Sequence, residues 1–223
     1  MRKGAHPCAP IPHLQISPIG WIGSVGQAIS ARTTPGLCRA LLRLLSRGKP
    51  VTIAELAAAA GDPIDRVQRA VAGWNDSEYD EEGRIVGWGL TLRATPYRFN
   101  IDGKQLYTWC ALGTLFFPAV IGRPARVESP CAATGIPIRL TVDPTEGVSA
   151  LDPPTAAVSL VTPEQKGSVR TAFCNPSRYF ATPHAGRDWQ NRHPGMELLG
   201  VVDAHRASRP LSQMLLADGA PPH

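Results

Sequence analysis

The chain has 223 residues and a formal charge of +5, with 23 Lys+Arg against 18 Asp+Glu; 43% of it is hydrophobic and 18% charged. That length holds one large or two small domains with real cores, and the composition is that of an ordinary soluble globular protein. No apolar run approaches the roughly 18 residues that span a membrane, the mild basic charge does not demand nucleic acid, and five scattered cysteines with no CxxC pair argue against both a finger-type zinc site and a disulfide framework.

Residues 1–33 read as a loosely packed arm, because Pro7, Pro10, Pro12 and Pro18 interrupt its apolar residues. No signal peptide is expected there, so the protein is placed in the cytoplasm. From Leu37 a helical spacing begins, through Ala40, Leu41, Leu44 and Leu45, and Gly48 and Pro50 end it. Thr52 followed by Glu55 is a capping box that opens a second helix, which Gly61 stops. Asp62 as N-cap and Pro63 as first helical residue open a third, reaching to about Gly73 with Ile64, Val67, Ala70 and Val71 inward.

Two strand-like runs follow, 84–92 and 97–101, and Asp102-Gly103 turns the chain. Three helices and a hairpin make a winged-helix-like N-terminal domain over 34–103. Its third helix sets Arg66, Gln68 and Arg69 beside Asp65. That mixed face fits a structural module better than a DNA reader.

Residues 104–122 are almost wholly apolar after Tyr107 and read as a buried helix containing Cys110. Beyond it, 126–128, 136–142 and 157–161 read as strands, 164–173 as a short helix ending at Cys174-Asn175-Pro176, 179–181 as strand, 188–192 as the start of a helix and 198–202 as the last strand. The tail, 217–223, is expected to fray. The fold class expected is α+β: a three-helix N-terminal module, then a mixed or antiparallel sheet with helices over 104–216 that carries the active site.

Taken alone, Cys110 in an apolar helix reads as a small core residue. Cys174, at a loop beside a helix end, reads as an accessible and hence reactive thiol. Neither residue decides the chemistry by itself.

Several segments together resemble the alkylmercury (organomercurial) lyase family. They are Trp109-Cys110-Ala111-Leu112-Gly113-Thr114-Leu115-Phe116-Phe117-Pro118, Glu78-Tyr79-Asp80 leading to Gly87-Trp88-Gly89-Leu90-Thr91-Leu92, Ser129-Pro130-Cys131-Ala132-Ala133-Thr134-Gly135, and Ala172-Phe173-Cys174. The resemblance runs from about residue 37 to 205. It implies that Cys110 and Cys174 are the two catalytic thiols that ligate mercury, that Cys131 is structural, and that no cofactor is needed. Thiolates are the protein's soft ligands and mercury a soft metal. Two of them make the metal-bound carbon carbanion-like, so that a proton releases it as hydrocarbon. The Hg(II) product stays on Cys110 and Cys174 until cytosolic thiols or a mercuric reductase remove it.

The substrate pocket expected includes Trp109, Gly113 and Phe116, with Leu112 and Phe117 in its apolar wall. Plain core packing is the other reading of these aromatics.

One position departs from the family pattern. Three residues after the helix cysteine the family carries an aspartate that helps deliver the proton and contacts the metal, and this chain has Gly113. Three outcomes follow: a slow lyase, a lyase using another acid such as Asp188 or Glu128, or a protein that binds organomercurials or Hg(II) without turning them over. A winged-helix metal-responsive regulator and a copper- or zinc-handling relative are the rivals from other classes.

Overall fold

The computed structural model describes residues 34–161, 170–193 and 195–217. The arm expected over 1–33, residues 218–223 of the tail and residues 164–169 of the helix expected before Cys174 lie outside the described residues.

Three helices come first: α1 (Pro35–Leu45), α2 (Ile53–Ala60) and α3 (Ile64–Ala72). The Thr52 side chain accepts from the Glu55 N–H at 3.1 Å while the Glu55 carboxylate accepts from the Thr52 N–H at 2.8 Å, so the capping box forms as its residues dictate. The third helix is capped by Pro63 rather than Asp62, one residue later than expected. On it Arg66 pairs with Asp62 and Arg69 with Asp65.

Eight strands then form one antiparallel sheet in the order β1-β2-β3-β5-β4-β6-β7-β8. They are β1 (Glu78–Tyr79), β2 (Ile85–Trp88), β3 (Leu90–Thr91), β4 (Tyr97–Ile101), β5 (Lys104–Thr108), β6 (Ala125–Pro130), β7 (Pro137–Asp143) and β8 (Gly147–Asp152). The single strand expected over 84–92 is in fact a tight hairpin, β2 and β3, broken at Gly89, whose φ of +69° lies in the left-handed region that glycine enters freely.

The helix expected over 104–122 is also corrected. Asp102 and Gly103 both have positive φ, 50° and 77°, the requirement of a two-residue hairpin turn, so the chain returns as strand β5. Only from Ala111 is it helical, in α4 (Ala111–Ile121), and Cys110 is the N-cap rather than an interior residue. A second sheet, β10-β9-β11, joins β9 (Ala157–Val161), β10 (Tyr179–Phe180) and β11 (Met196–Gly200).

Between β9 and β10, Arg170–Cys174 form a single π-helical turn. Helix α5 (Pro183–Arg192) starts five residues before the expected Asp188, with Thr182 accepting from the Ala185 N–H and Pro183 at the first turn. The last strand ends at Gly200, and 201–216, which the sequence reading leaves unassigned after Val202, is helix α6 (Val201–Leu216). Its buried Val201, Ala204, Ser208, Leu211, Ser212 and Leu215 recur every three to four residues and pack on α4 and α1.

Helix α4 is the centre of the core. It touches α1, α6, both sheets and the π-helical turn, and Ala119 is its one residue that is not buried. An apolar helix must be enclosed on all sides to be stable in water, and here the layers around it do that. Arg43 on α1 donates to the Val120 carbonyl at 3.1 Å and Arg39 to the Leu216 carbonyl at 2.8 Å, satisfying helix C-terminal acceptors and tying the first module to the rest.

Candidate active site

The first turn of α4 and the segment around Cys174 are sewn together by backbone groups that each would otherwise leave unpaired. A helix start has orphan N–H groups. Here the Ala111 N–H donates to the Ser177 carbonyl at 3.2 Å, the Leu112 N–H to Ser177 Oγ at 3.1 Å, and the Gly113 N–H to Cys110 Sγ at 3.4 Å. Ser177 in turn donates its N–H to the Cys174 carbonyl at 3.0 Å, closing a turn through Asn175 and Pro176. Tyr97 on β4 donates its hydroxyl to the same Ser177 carbonyl at 3.2 Å.

The result is that Cys110 and Cys174, 64 residues apart in the chain, become neighbours whose thiols shift one another's ionisation. They are free thiols, 2% and 6% exposed.

The pKa values of the two sulfurs are shifted in opposite directions. The Cys174 thiol donates to Cys110 and holds the Cys110 thiol below its ordinary range, with help from the Gly113 and Leu112 N–H groups and the Ser177 hydroxyl, against the opposing effect of burial. The helix N-terminus adds to this, since its partial positive charge favours a thiolate. Cys174 moves the other way: its hydrogen bond to Cys110, burial and the negative charges of Cys110 and Asp76 push it well up, and only Arg170 pulls it back. Of the two, Cys110 is thus the sulfur that gives up its proton first. Burial also holds the Tyr97 phenol well above its usual range, so its oxygen stays a donor.

On the sheet side lies a polar bracket that the sequence reading missed. Glu78, 9% exposed, accepts from Thr91 Oγ1 at 2.5 Å, Trp109 Nε1 at 3.1 Å and the Arg170 guanidinium at 2.7 Å. The same guanidinium lies 4.7 Å from the centre of the Trp109 ring. Asp76 accepts from the Arg170 backbone N–H at 3.1 Å.

Gly87 is required beneath this bracket, because a Cβ there would strike the Glu78 carboxylate and Thr91. The signals lay in the sequence: Arg170 sits four residues before Cys174, and Glu78 precedes Tyr79-Asp80. Nothing in a one-dimensional pattern joins them.

Of the expected pocket residues, Trp109 is buried between Glu78 and Arg170, beside the Cys174 turn. Gly113 contacts Cys110 through its N–H, and a Cβ on it would come within 3.1 Å of the Phe117 ring. Phe116 is buried one turn along α4, with its ring centre 4.5 Å from that of Phe117. Cys131 lies buried in the β6–β7 turn, where its carbonyl accepts from the Gly135 N–H at 2.9 Å. The alternative acids lie at the surface: Asp188 is exposed on α5, and Glu128 pairs with Arg139 in an open groove on the large sheet.

Known proteins carry the same arrangement of segments. A family model described as alkylmercury lyase matches residues 90–213, and one described as the helix-turn-helix domain of alkylmercury lyase matches residues 25–89. The chain belongs to the alkylmercury lyase family. It is 53% identical over 197 residues to a protein of Streptomyces lividans named alkylmercury lyase, covering 88% of this chain and 90% of that one. A Pseudomonas putida protein of the same name is 46% identical over 178 residues, 80% of this chain and 84% of its own.

Among solved structures, one titled as the mercury-bound form of MerB2 superposes with a TM-score of 0.73 at 21% identity, over 88% of this chain and 99% of that chain. It shares the fold. The family assignment agrees with the α+β organisation above, a helical N-terminal module followed by antiparallel sheet and helices.

Proposed function

We propose that this chain breaks the carbon–mercury bond of organomercurials by protonolysis, with Cys110 and Cys174 as the sulfur ligands that hold the metal. One observation carries this reading: two buried sulfurs from distant elements meet, one held below and the other pushed above its ordinary range. A soft metal needs the thiolate as its first ligand. Breaking the bond also consumes one proton, which a thiol that bonds to mercury gives up.

The Cys110 thiolate displaces the ancillary ligand of R–Hg–X. Cys174 then bonds to mercury and loses its proton, and the carbon leaves as R–H. Mercury remains Hg(II) on both sulfurs throughout. Because both sulfurs are buried against each other, the Cys174 turn and the start of α4 must part to admit the metal. Trp109, Gly113 and Phe116 on the Cys110 side are the residues proposed to face the organic group. The Hg(II) product passes to cytosolic thiols or a mercuric reductase, which places the reaction in the cytoplasm.

The N-terminal module, 34–103, serves this site rather than nucleic acid. Its Arg66 is engaged with Asp62 just before the helix and its Arg69 with Asp65 on it, and through Glu78 it supplies part of the bracket around Arg170. Residues 104–216 carry both sulfurs.

The test is hydrocarbon release from phenylmercury or methylmercury, read by gas chromatography. The wild-type chain is expected to release benzene or methane, and Cys110→Ala and Cys174→Ala are each expected to release none. Release at the wild-type rate from either variant sinks the proposal.

A further inference from the structure

Both sulfurs are sealed, Cys110 2% and Cys174 6% exposed, so a metal reaches them only when the backbone around them shifts. The segment 175–178 joins Cys174 to strand β10, and it is held unequally on its two sides.

On the β9 side the bonds are short. Ser159 Oγ donates to the Pro176 carbonyl at 2.7 Å and accepts from the Arg178 N–H at 2.9 Å, and the Ser159 N–H donates to the Arg178 carbonyl at 2.9 Å. On the other side they are longer and shared. The Ser177 carbonyl takes both the Ala111 N–H of α4 and the Tyr97 hydroxyl of β4, each at 3.2 Å, and Ser177 Oγ takes the Leu112 N–H at 3.1 Å. Hydrogen bonds weaken as they stretch beyond about 3 Å. The segment is therefore hinged on β9 and latched on α4 and β4.

Tyr97 is the part of the latch that belongs to neither cysteine's own segment. It opens strand β4, its N–H donates to Thr95 Oγ1 at 3.1 Å, and its ring centre lies 6.4 Å from that of the fully buried Tyr179. The ring is thus anchored on the large sheet. Among the described residues its hydroxyl bonds to the Ser177 carbonyl alone.

We propose that Tyr97 is a positioning residue that latches the cover of the two sulfurs: its hydrogen bond to Ser177 sets how often segment 175–178 swings off α4, and so how fast an organomercurial reaches Cys110 and Cys174. The inference rests on the metal-binding reading above and adds the route of entry to it. The phenol bonds to neither mercury nor carbon and carries no proton in the reaction.

The experiment compares the full wild-type chain with Tyr97→Phe, which keeps the ring and removes the hydroxyl. Two quantities are read: the rate of phenylmercury capture, by stopped-flow tryptophan fluorescence, and amide hydrogen exchange at Ala111 and Leu112, whose N–H groups close the seam. Tyr97→Phe is expected to capture phenylmercury about 2- to 10-fold faster and to lose protection at both amides by a similar factor, the weight of one net hydrogen bond. A gain in capture rate with local loss of protection is what general damage to the fold would not give. Cys38, buried on α1, reports such damage, and its labelling by iodoacetamide is expected to stay at the wild-type rate. Capture at or below the wild-type rate overturns the latch, as does unchanged exchange at Ala111 and Leu112. A rise in Cys38 labelling by the same factor also overturns it, because the whole chain would then have loosened. If the wild-type chain takes up no phenylmercury, the metal-binding reading falls and the entry role with it. Normal capture that is indifferent to Tyr97→Phe overturns the role of Tyr97 alone.

Discussion

Cys110 and Cys174 reach the same point from two unlike regions. Cys110 stands at the N-cap of the most enclosed helix in the fold, and its sulfur is bound by the Gly113 N–H, the Ser177 hydroxyl and its partner thiol. Each of these three donates to it. Cys174 stands at the end of one π-helical turn held on the sheet by Asp76 and Glu78 through Arg170. Its interaction with Cys110, its burial and the charges of Cys110 and Asp76 push its pKa up. A single thiol environment copied twice would give two thiolates or two thiols. The asymmetry instead sets the two pKa values apart, as the proposed reaction requires, and it puts the π-helical turn on the Cys174 side. Single π-helical turns often mark functional positions, because the widened turn relaxes the backbone register.

The largest way to break this contrast is to remove one sulfur and watch the other. Cys174→Ala deletes the strongest support of the Cys110 thiolate, so beyond abolishing turnover it is expected to raise the Cys110 pKa. A depressed thiol is thiolate above its folded-state pKa and becomes protonated as pH falls through it. In the variant that loss therefore sets in at higher pH, seen as a shifted ultraviolet thiolate titration. Cys110→Ala is expected to do the reverse to Cys174, bringing its raised pKa down toward the ordinary thiol range. Titrations that coincide with the wild type would show that the sulfurs do not share a proton.

A smaller effect is expected on the Cys174 side alone. Glu78→Gln keeps the shape of the bracket but gives up the ion pair with Arg170 and leaves an amide N–H₂ facing the donors Trp109 and Arg170. Misplacing a reacting group by about 1 Å can cost ~10²-fold, so benzene release is expected to fall by ~10- to 10²-fold while the Cys110 titration stays put. A Cys110 titration that moves with Glu78→Gln would mean that the two sides are not separable.

The smallest effect belongs to the seam between them. Ser177→Ala leaves the buried Leu112 N–H without its acceptor and takes one donor from Cys110. The expected cost is about 1–3 kcal/mol in denaturant unfolding, with a modest rise in the Cys110 pKa. Unchanged unfolding would place the seam's strength in the backbone bonds of Ser177 instead.

Local signals served the sequence reading well wherever a feature is made by neighbours in the chain. The capping box at Thr52, the turn at Asp102-Gly103, the strands after Ala125 and the apolar face of α1 each follow from a few adjacent residues. The reading failed where a second partner decides. Lys104–Thr108 carries no helix-breaking residue, yet it becomes strand because β3 and β4 offer it hydrogen bonds on both edges. Residues 201–216, with Pro210 inside them, become a helix because α4 and α1 cover the buried face.

The same division holds at the site. Sequence alone determined which residues can bind a soft metal, since thiol chemistry belongs to the residue type, and the order of the motifs pointed to the family. Tertiary structure decided which thiol is pushed down and which up, and that Asp76, Glu78 and Arg170 stand beside the Cys174 turn. Those properties come from charges and from hydrogen bonds such as the one between Arg170 and Asp76, 94 residues apart, and such interactions exist only once the folded chain has excluded water and fixed their distances.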